Sequence, residues 1–137
     1  MKRVTVDSNI YISALRFGGK PLTILELALD GDIEISISDA ILQETLRVLR
    51  DKFHHTPDQL QEIETLLAAI TKHVYPTERL DAVAADRDDN RVLECAAKAG
   101  SDVIVTGDDH LLRMGTFQGI QIKKPAEFLA GLQAPGW

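Results

Sequence analysis

Residues 86–112 read DRDDNRVLECAAKAGSDVIVTGDDHLL and combine a helix, a glycine turn, a short apolar strand and a carboxylate just past the strand. Apolar residues recur with helical spacing before Gly100, which predicts a helix over about 89–99. The β-branched run at 103–105 favours a strand that is covered on both faces. Asp108 follows this strand, at the edge where ligands bind in parallel α/β sheets.

A helical wheel distinguishes the acids of this helix. At ~100° per residue, Asp89 falls ~60° from Val92 and lies within the apolar arc. A carboxylate in that position is costly unless something pairs with it, so Asp89 is predicted to serve a site. Asp88 falls at the rim of the arc, where capping of the helix is an equal alternative. Glu94 is predicted to face water, and Cys95 to lie at the rim.

The rest of the chain alternates strands and helices. Strands are predicted at 4–6, 33–37 and 120–122, with a possible edge strand near 73–76, and the pattern at 33–37 indicates a half-covered strand. Ser38 and Thr56 are predicted to cap the two central helices. This alternation predicts a three-layer α/β/α sandwich with a mainly parallel five-stranded sheet. We hypothesise the strand order 3-2-1-4-5, which would place the strands that end at Asp7 and Thr106 side by side.

Length and composition limit the classes of protein to which this chain can belong. The chain has 137 residues, 45% of them hydrophobic, which predicts one domain over 1–137 with a loosely ordered tail at 131–137. Its single cysteine excludes an intramolecular disulfide and a cysteine-based zinc cluster, and favours the cytoplasm. No apolar run is long enough for a membrane span. The net charge of −6 argues against coating of nucleic acid by bulk electrostatics.

Four carboxylates from separate segments are predicted to meet in one cleft: Asp7, Glu44, Asp89 and Asp108. Asp7 directly follows the first strand, and Ser8 or Asn9 is able to cap the next helix and leave that carboxylate free. Glu44 lies at the edge of the apolar arc of the helix at 38–53, where a solvated position is an equal alternative. Clustered carboxylates repel, and a divalent cation removes the conflict. Oxygen ligands favour Mg²⁺ or Mn²⁺, and phosphodiester hydrolysis is the reaction that such a site suits.

Other chemistries fit the sequence less well. Cys95 is far from any strand-to-helix elbow, no serine stands in a G-x-S-x-G turn, and no glycine-rich phosphate loop is present. The four histidines show no metal-ligand spacing next to carboxylates. A phospho-accepting receiver requires paired acids after the first strand, and a dehalogenase-type phosphatase requires a second aspartate where Asn9 stands. A binding module without catalysis is the third alternative.

Four motifs together resemble the PIN-domain ribonucleases, which include VapC-like toxin components of bacterial toxin-antitoxin pairs. The motifs are VTVDSNIYISAL at 4–15, the helix opening at 38–44, the run at 89–96 and VTGDDHLL at 105–112. The resemblance covers nearly the whole chain. It implies cleavage of single-stranded RNA with Mg²⁺ or Mn²⁺, a homodimer, and inhibition by a small antitoxin.

The resemblance also implies roles for individual residues. It identifies Asp7, Glu44, Asp89 and Asp108 as the metal-site acids. Thr106 would orient the first carboxylate, and Asn9 would be a polar neighbour on the cleft floor. Asp86 and Asp88 crowd the third acid position and Asp109 the fourth, and the selection among them depends on the helical wheel and on the T-x-D spacing.

Basic residues near the expected loops are predicted to hold the flanking phosphates of a substrate. They are Arg16, Lys20, Arg87, Arg91, His110 and Arg113.

Overall fold

A six-stranded, mainly parallel sheet flanked by helices forms the fold. The computed structural model of the chain describes residues 1–80 and 87–133, with the side chains of Arg87 and Gln133 outside the description. The strands are β1 (Lys2–Val6), β2 (Ile33–Ile37), β3 (Thr71–His73), β4 (Val103–Val105), β5 (Thr116–Phe117) and β6 (Ile120–Lys123). The helices are α1 (Ser8–Phe17), α2 (Gly19–Leu29), α3 (Asp39–Asp51), α4 (Pro57–Ile70), α5 (Arg87–Ala99), α6 (Asp109–Met114) and α7 (Pro125–Gln133).

The sheet has the order β3-β2-β1-β4-β6-β5, in which every pair is parallel except β5 with β6. The predicted α/β architecture is confirmed, and its five strands correspond to β1, β2, β3, β4 and β6 in the hypothesised order. The sequence missed β5, which folds back onto β6 through Gln118 and Gly119, both with positive φ. A strand of two residues is too short to show the alternation that identifies strands.

The central strands bring two distant parts of the chain together. β1 pairs with β4 in a register that sets Val6 opposite Val105, and the backbone N–H of Asp7 donates to the carbonyl of Val105 at 3.2 Å. The last three residues of β1 and all three of β4 are buried, so the carboxyl ends of both strands are fixed by the core. Asp7 and Thr106 are therefore held side by side, as the hypothesised order requires.

Helix ends follow the predicted caps. Ser38 accepts from the backbone of Ile41 at the start of α3, and Thr56 and Gln59 form a complete capping box at the start of α4. Gly100 has a φ of +65° after α5, a conformation that residues with a Cβ rarely adopt. α7 includes the first residues of the expected tail, and residues 134–137 lie outside the described part of the chain.

Three sequence predictions about burial are wrong. β2 lies between two other strands, and its Ser36 is buried as well as its isoleucines, so it is not half-covered. Cys95 is fully buried, and burial raises the pKa of its thiol to about 11, which leaves it unsuited to nucleophilic attack. Glu94 is buried too, because the chain before α5 covers it and the backbone N–H of Leu80 donates to its carboxylate at 2.7 Å.

A search of the described ranges found no helix with the length and apolar character needed to cross a membrane.

Candidate metal centre

The four predicted acids line one small pocket at the carboxyl edge of the central strands. The pocket is lined by Asp7, Ser8, Asn9, Glu44, Asp88, Asp89, Val92 and Asp108. Its volume is about 40 Å³, which exceeds the ~10–15 Å³ that a cavity needs to hold one water molecule. A space of this size, surrounded by carboxyl groups, fits a small ion better than an organic ligand.

Asp7 both caps α1 and lines the pocket, two roles that were predicted for different residues. Its Oδ1 caps α1 by accepting from the backbone N–H of Ile10 at 3.1 Å. The prediction that Ser8 or Asn9 caps this helix is therefore wrong. Its Oδ2 accepts a hydrogen bond from the hydroxyl of Thr106. Burial raises the pKa of the Asp7 carboxyl to about 6, although both hydrogen bonds favour the charged form.

Thr106 connects the first acid to the fourth. Its fully buried hydroxyl donates to Asp7 and accepts from the backbone N–H of Asp108 at 3.0 Å. Asp108 in turn caps α6, because its Oδ1 accepts from the backbone N–H groups of His110 and Leu111 at 2.8 and 3.2 Å. One oxygen of Asp108 thus accepts the hydrogen bonds that cap α6, and the same side chain lines the pocket.

Glu44 and Asp88 form the outer side of the pocket. Burial, followed by a hydrogen bond with the Asp88 side chain, raises the pKa of the half-buried Glu44 to about 7. The side chain of Ser8 and the charge of Arg47 oppose this shift. Two carboxyl groups share a hydrogen bond only when one of them carries a proton, so protons compensate here for the charge that a cation would neutralise.

His110 approaches the same acids. Its Nδ1 lies 3.8 Å from Oδ2 of the buried Asp89 and 3.6 Å from Oδ1 of Asp108. One ligand atom from each of these three residues falls within 4.8 Å of the other two. The sequence predicts only a substrate contact for His110, although the D-x-H pattern at 108–110, directly after a strand, is a signal for a place beside these acids.

The structure distinguishes the neighbouring acids at the third and fourth predicted positions by whether they line the pocket. Asp108 lines the pocket, whereas the neighbouring Asp109 is exposed and is not among the lining residues. Asp88 is exposed but lines the pocket together with Asp89. Asp86 lies outside the described residues.

Among the side chains that the structure describes, none of the predicted cations lines this pocket. Arg16 is exposed, and its guanidinium lies 4.6 Å from the centre of the Phe53 ring. Lys20 and Arg113 are exposed. The side chain of Arg87 is outside the description.

Arg91 has a structural partner instead of a free guanidinium. Its Nε lies 3.0 Å from Oε1 of Glu94, and its Nη2 donates to the carbonyl of Leu80 at 3.0 Å. Both side chains of the ion pair are largely buried. Arg91 therefore joins α5 to the segment before it, and its contact with a substrate stays a prediction.

A groove between α3 and α4 opens beside the acid pocket. It has a volume of about 510 Å³, and Glu44 and Asp88 line both the groove and the pocket. Arg47 and Arg50 line the groove as well, one and two helical turns beyond Glu44. Neither arginine is among the predicted substrate contacts, because both lie within a helix and not near the expected loops.

Comparison with known proteins identifies what this arrangement is similar to. A family model described as a PIN domain matches residues 3–110. A chain in the crystal structure of VapBC2 from Rickettsia felis, bound to a DNA fragment from their promoter, is 14% identical with a TM-score of 0.66, over 89% of this chain and 98% of that chain. At this identity the likeness shows a shared fold. A comparison with curated proteins gave no match.

Proposed function

This chain belongs to the PIN domain family, and from that premise we propose that it is a divalent-metal-dependent ribonuclease that hydrolyses phosphodiester bonds of single-stranded RNA. One observation carries the proposal. Carboxylates from four separate segments line a pocket of about 40 Å³. The repulsion between them raises the free energy of the folded chain, and a bound cation relieves it when the carboxyl groups are ionised.

The residues of the pocket fit Mg²⁺ or Mn²⁺. The acidic ligands offered are carboxylate oxygens, which hard divalent cations prefer. The raised pKa values of Asp7 and Glu44, about 6 and about 7, indicate that the pocket retains protons where positive charge is needed. We propose that the ion is held by Asp7, Glu44, Asp89 and Asp108. Such an ion supplies Lewis-acid activation of water and neutralises charge on a phosphate.

The chain's own residues would hold these ligands in place. The Thr106 hydroxyl fixes the orientation of Asp7, and the cap of α6 fixes Asp108. Supporting contacts of this kind orient metal ligands and tune their basicity. Asn9 lines the same pocket and offers a neutral amide close to Asp7, which agrees with the polar neighbour that the resemblance implies.

The groove between α3 and α4 supports a nucleic-acid substrate. Three residues of a helix span ~4.5 Å along its axis, so Arg47 and Arg50 set two guanidinium groups along a path that leads away from Glu44. Arg50 also pairs with Asp51 at 2.7 Å, but both side chains are exposed and such a pair is easily exchanged for a phosphate. We propose that the strand runs along this groove, with Arg16, Lys20, Arg87, His110 and Arg113 as further contacts.

The proposal extends to the partners of a toxin. A small antitoxin and a homodimer are what the family resemblance implies, and the fold shared with VapBC2 supports the comparison. Exposed apolar side chains on α1, α2 and α4 offer a surface for a protein partner: Phe17, Leu22, Leu29 and Leu66. A neighbouring reading frame with a DNA-binding head and an amphipathic tail, whose product blocks cleavage, would support this role. Light scattering of the purified chain measures its molar mass in solution and so tests whether it is a homodimer.

The decisive experiment compares metal-dependent cleavage of single-stranded RNA by the natural chain and by Asp7→Asn and Asp89→Asn. Both variants should lose cleavage, whereas Asp109→Asn, which changes an exposed acid beside the pocket, should keep it. Metal at ~100 times its dissociation constant should also stabilise the natural chain by ~2.7 kcal/mol. Undiminished cleavage by both pocket variants would refute the proposal. Absence of any thermal shift would favour a binding module.

A further inference from the structure

We infer that His110 is a ligand of the ion that Asp89 and Asp108 hold, and that its imidazole makes the site prefer Mn²⁺ to Mg²⁺. This inference rests on the proposed function. It adds a nitrogen ligand to a site whose other ligands are carboxylates, and it says which of the two proposed cations the site binds more tightly.

One ligand atom each of His110, Asp89 and Asp108 lies within 4.8 Å of the others, close enough for a small movement to place them on one ion. At a metal–ligand distance of ~2.1 Å, two ligands of an octahedral ion lie ~3.0 Å apart when adjacent and ~4.2 Å apart when opposite. The His110 Nδ1 lies 3.8 Å from Oδ2 of Asp89 and 3.6 Å from Oδ1 of Asp108, the oxygen that also caps α6. Both distances exceed the adjacent separation, so the imidazole would have to move by roughly 0.6–0.8 Å to become an adjacent ligand of the same ion. A small rotation of the imidazole, whose side chain is 45% exposed, would bring all three ligands onto one ion.

The local fold directs the imidazole to this place. Asp108 caps α6 and accepts from the backbone N–H of His110 itself, so the two residues are fixed relative to each other. Side chains in the first turn of a helix point back towards its N-terminus, which here means towards Asp108. Asp89 approaches from α5 and is 6% exposed, so the partner on the other side is held firmly.

The chemistry of the imidazole explains the preference. Mg²⁺ takes oxygen ligands and loses its water reluctantly, whereas transition metals accept imidazole nitrogen. A neutral imidazole also adds no negative charge to a pocket that already gathers five carboxyl groups. Loss of His110 should therefore weaken Mn²⁺ binding far more than Mg²⁺ binding.

A competing role for His110 is that of a protonated counter-ion, which repels a cation instead of binding it. Pulsed electron paramagnetic resonance on the Mn²⁺-loaded chain distinguishes the two, because a coordinated imidazole gives a ¹⁴N coupling. Titrations with Mn²⁺ and with Mg²⁺ provide the second measurement. Neither readout depends on cleavage of RNA.

We expect the natural chain to show the ¹⁴N coupling and His110→Asn to lose it. Mn²⁺ affinity should fall by at least the ~10-fold that loss of an outer-shell partner costs, with Mg²⁺ affinity changed less than about twofold. His54→Asn is the matched control, because His54 is exposed and its φ of 57° is one that asparagine adopts readily. Mn²⁺ bound at the acids without ¹⁴N coupling, or equal losses for both metals, would overturn the inference and leave the nuclease intact. Mn²⁺ binding that Asp89→Asn does not change would overturn both.

Discussion

The carboxyl groups of Glu44 and Asp88 share a hydrogen bond between α3 and α5. The two helices pack against each other, so their acids are held together by the fold. Two neighbouring carboxylates repel each other, so the repulsion favours the protonated form of Glu44. Glu44, with a pKa of about 7, and Asp7, with a pKa of about 6, are the groups that a cation would have to deprotonate.

Metal binding should therefore release protons and become tighter as the pH rises. Below pH ~6 both carboxyls are largely protonated and compete with the ion, and above pH ~8 both are ionised and affinity levels off. Calorimetric titration with Mn²⁺ at pH ~6 in two buffers of different ionisation enthalpy measures the protons released. Asp7→Asn should release fewer protons than the natural chain, and Asp109→Asn the same number. Binding without proton release at this pH would contradict the raised pKa values.

Asp89→Asn should stabilise the metal-free chain while it abolishes cleavage. The amide keeps the shape of the buried carboxylate and removes one negative charge from the cluster. We expect the melting temperature without metal to rise by about 3 °C, the effect of ~1 kcal/mol in a domain of this size. Added metal should then stabilise the variant less than the natural chain. A lower melting temperature of the metal-free variant would argue against clustered acids.

Thr106→Val should reduce cleavage by ~10- to 100-fold, as expected when a metal ligand is deprived of its outer-shell partner. The valine removes the hydroxyl that donates to Asp7 and accepts from the backbone of Asp108. Thr106→Ser keeps that hydroxyl and is the matched control, with most of the activity retained. If valine and serine lose activity equally, packing rather than the hydrogen bond accounts for the effect.

Arg47→Gln should weaken RNA binding more than Arg79→Gln, which changes an exposed arginine that lines neither the groove nor the pocket. Fluorescence anisotropy with a single-stranded RNA measures this on the Asp7→Asn background, where no cleavage occurs. Removal of one charged partner of a phosphate should reduce the slope of log affinity against log salt by ~0.7. Equal effects of the two substitutions would place the strand elsewhere on the surface.

Arg91→Ala should destabilise the fold by ~3–5 kcal/mol, because it leaves the buried carboxylate of Glu94 without its ion pair. Urea denaturation measures the free energy of unfolding. The double variant Arg91→Met with Glu94→Leu should regain most of that stability, since no buried charge remains. RNA affinity of the folded protein should stay the same in the double variant. A loss of RNA affinity without a loss of stability would place Arg91 among the residues that bind substrate.

The sequence by itself determined five of the six described strands, the alternation of these strands with helices, the helix caps at Ser38 and Thr56, and the four acids at strand ends or inward helical positions. These features depend on residues within a few positions of one another, where periodicity and capping act. It could not show that Glu94 is covered by the chain around Leu80, because the wheel describes one helix without its neighbours.

Only the tertiary structure decided which side chains meet across segments. The hydrogen bond of Asp88 with Glu44 joins residues on two packed helices, and the approach of His110 to Asp89 joins α6 to α5. Arg47 lies beside the pocket because α3 forms a groove with α4. Each of these arrangements depends on strand order and helix packing, which are set by the burial of the whole core and not by any local run of residues.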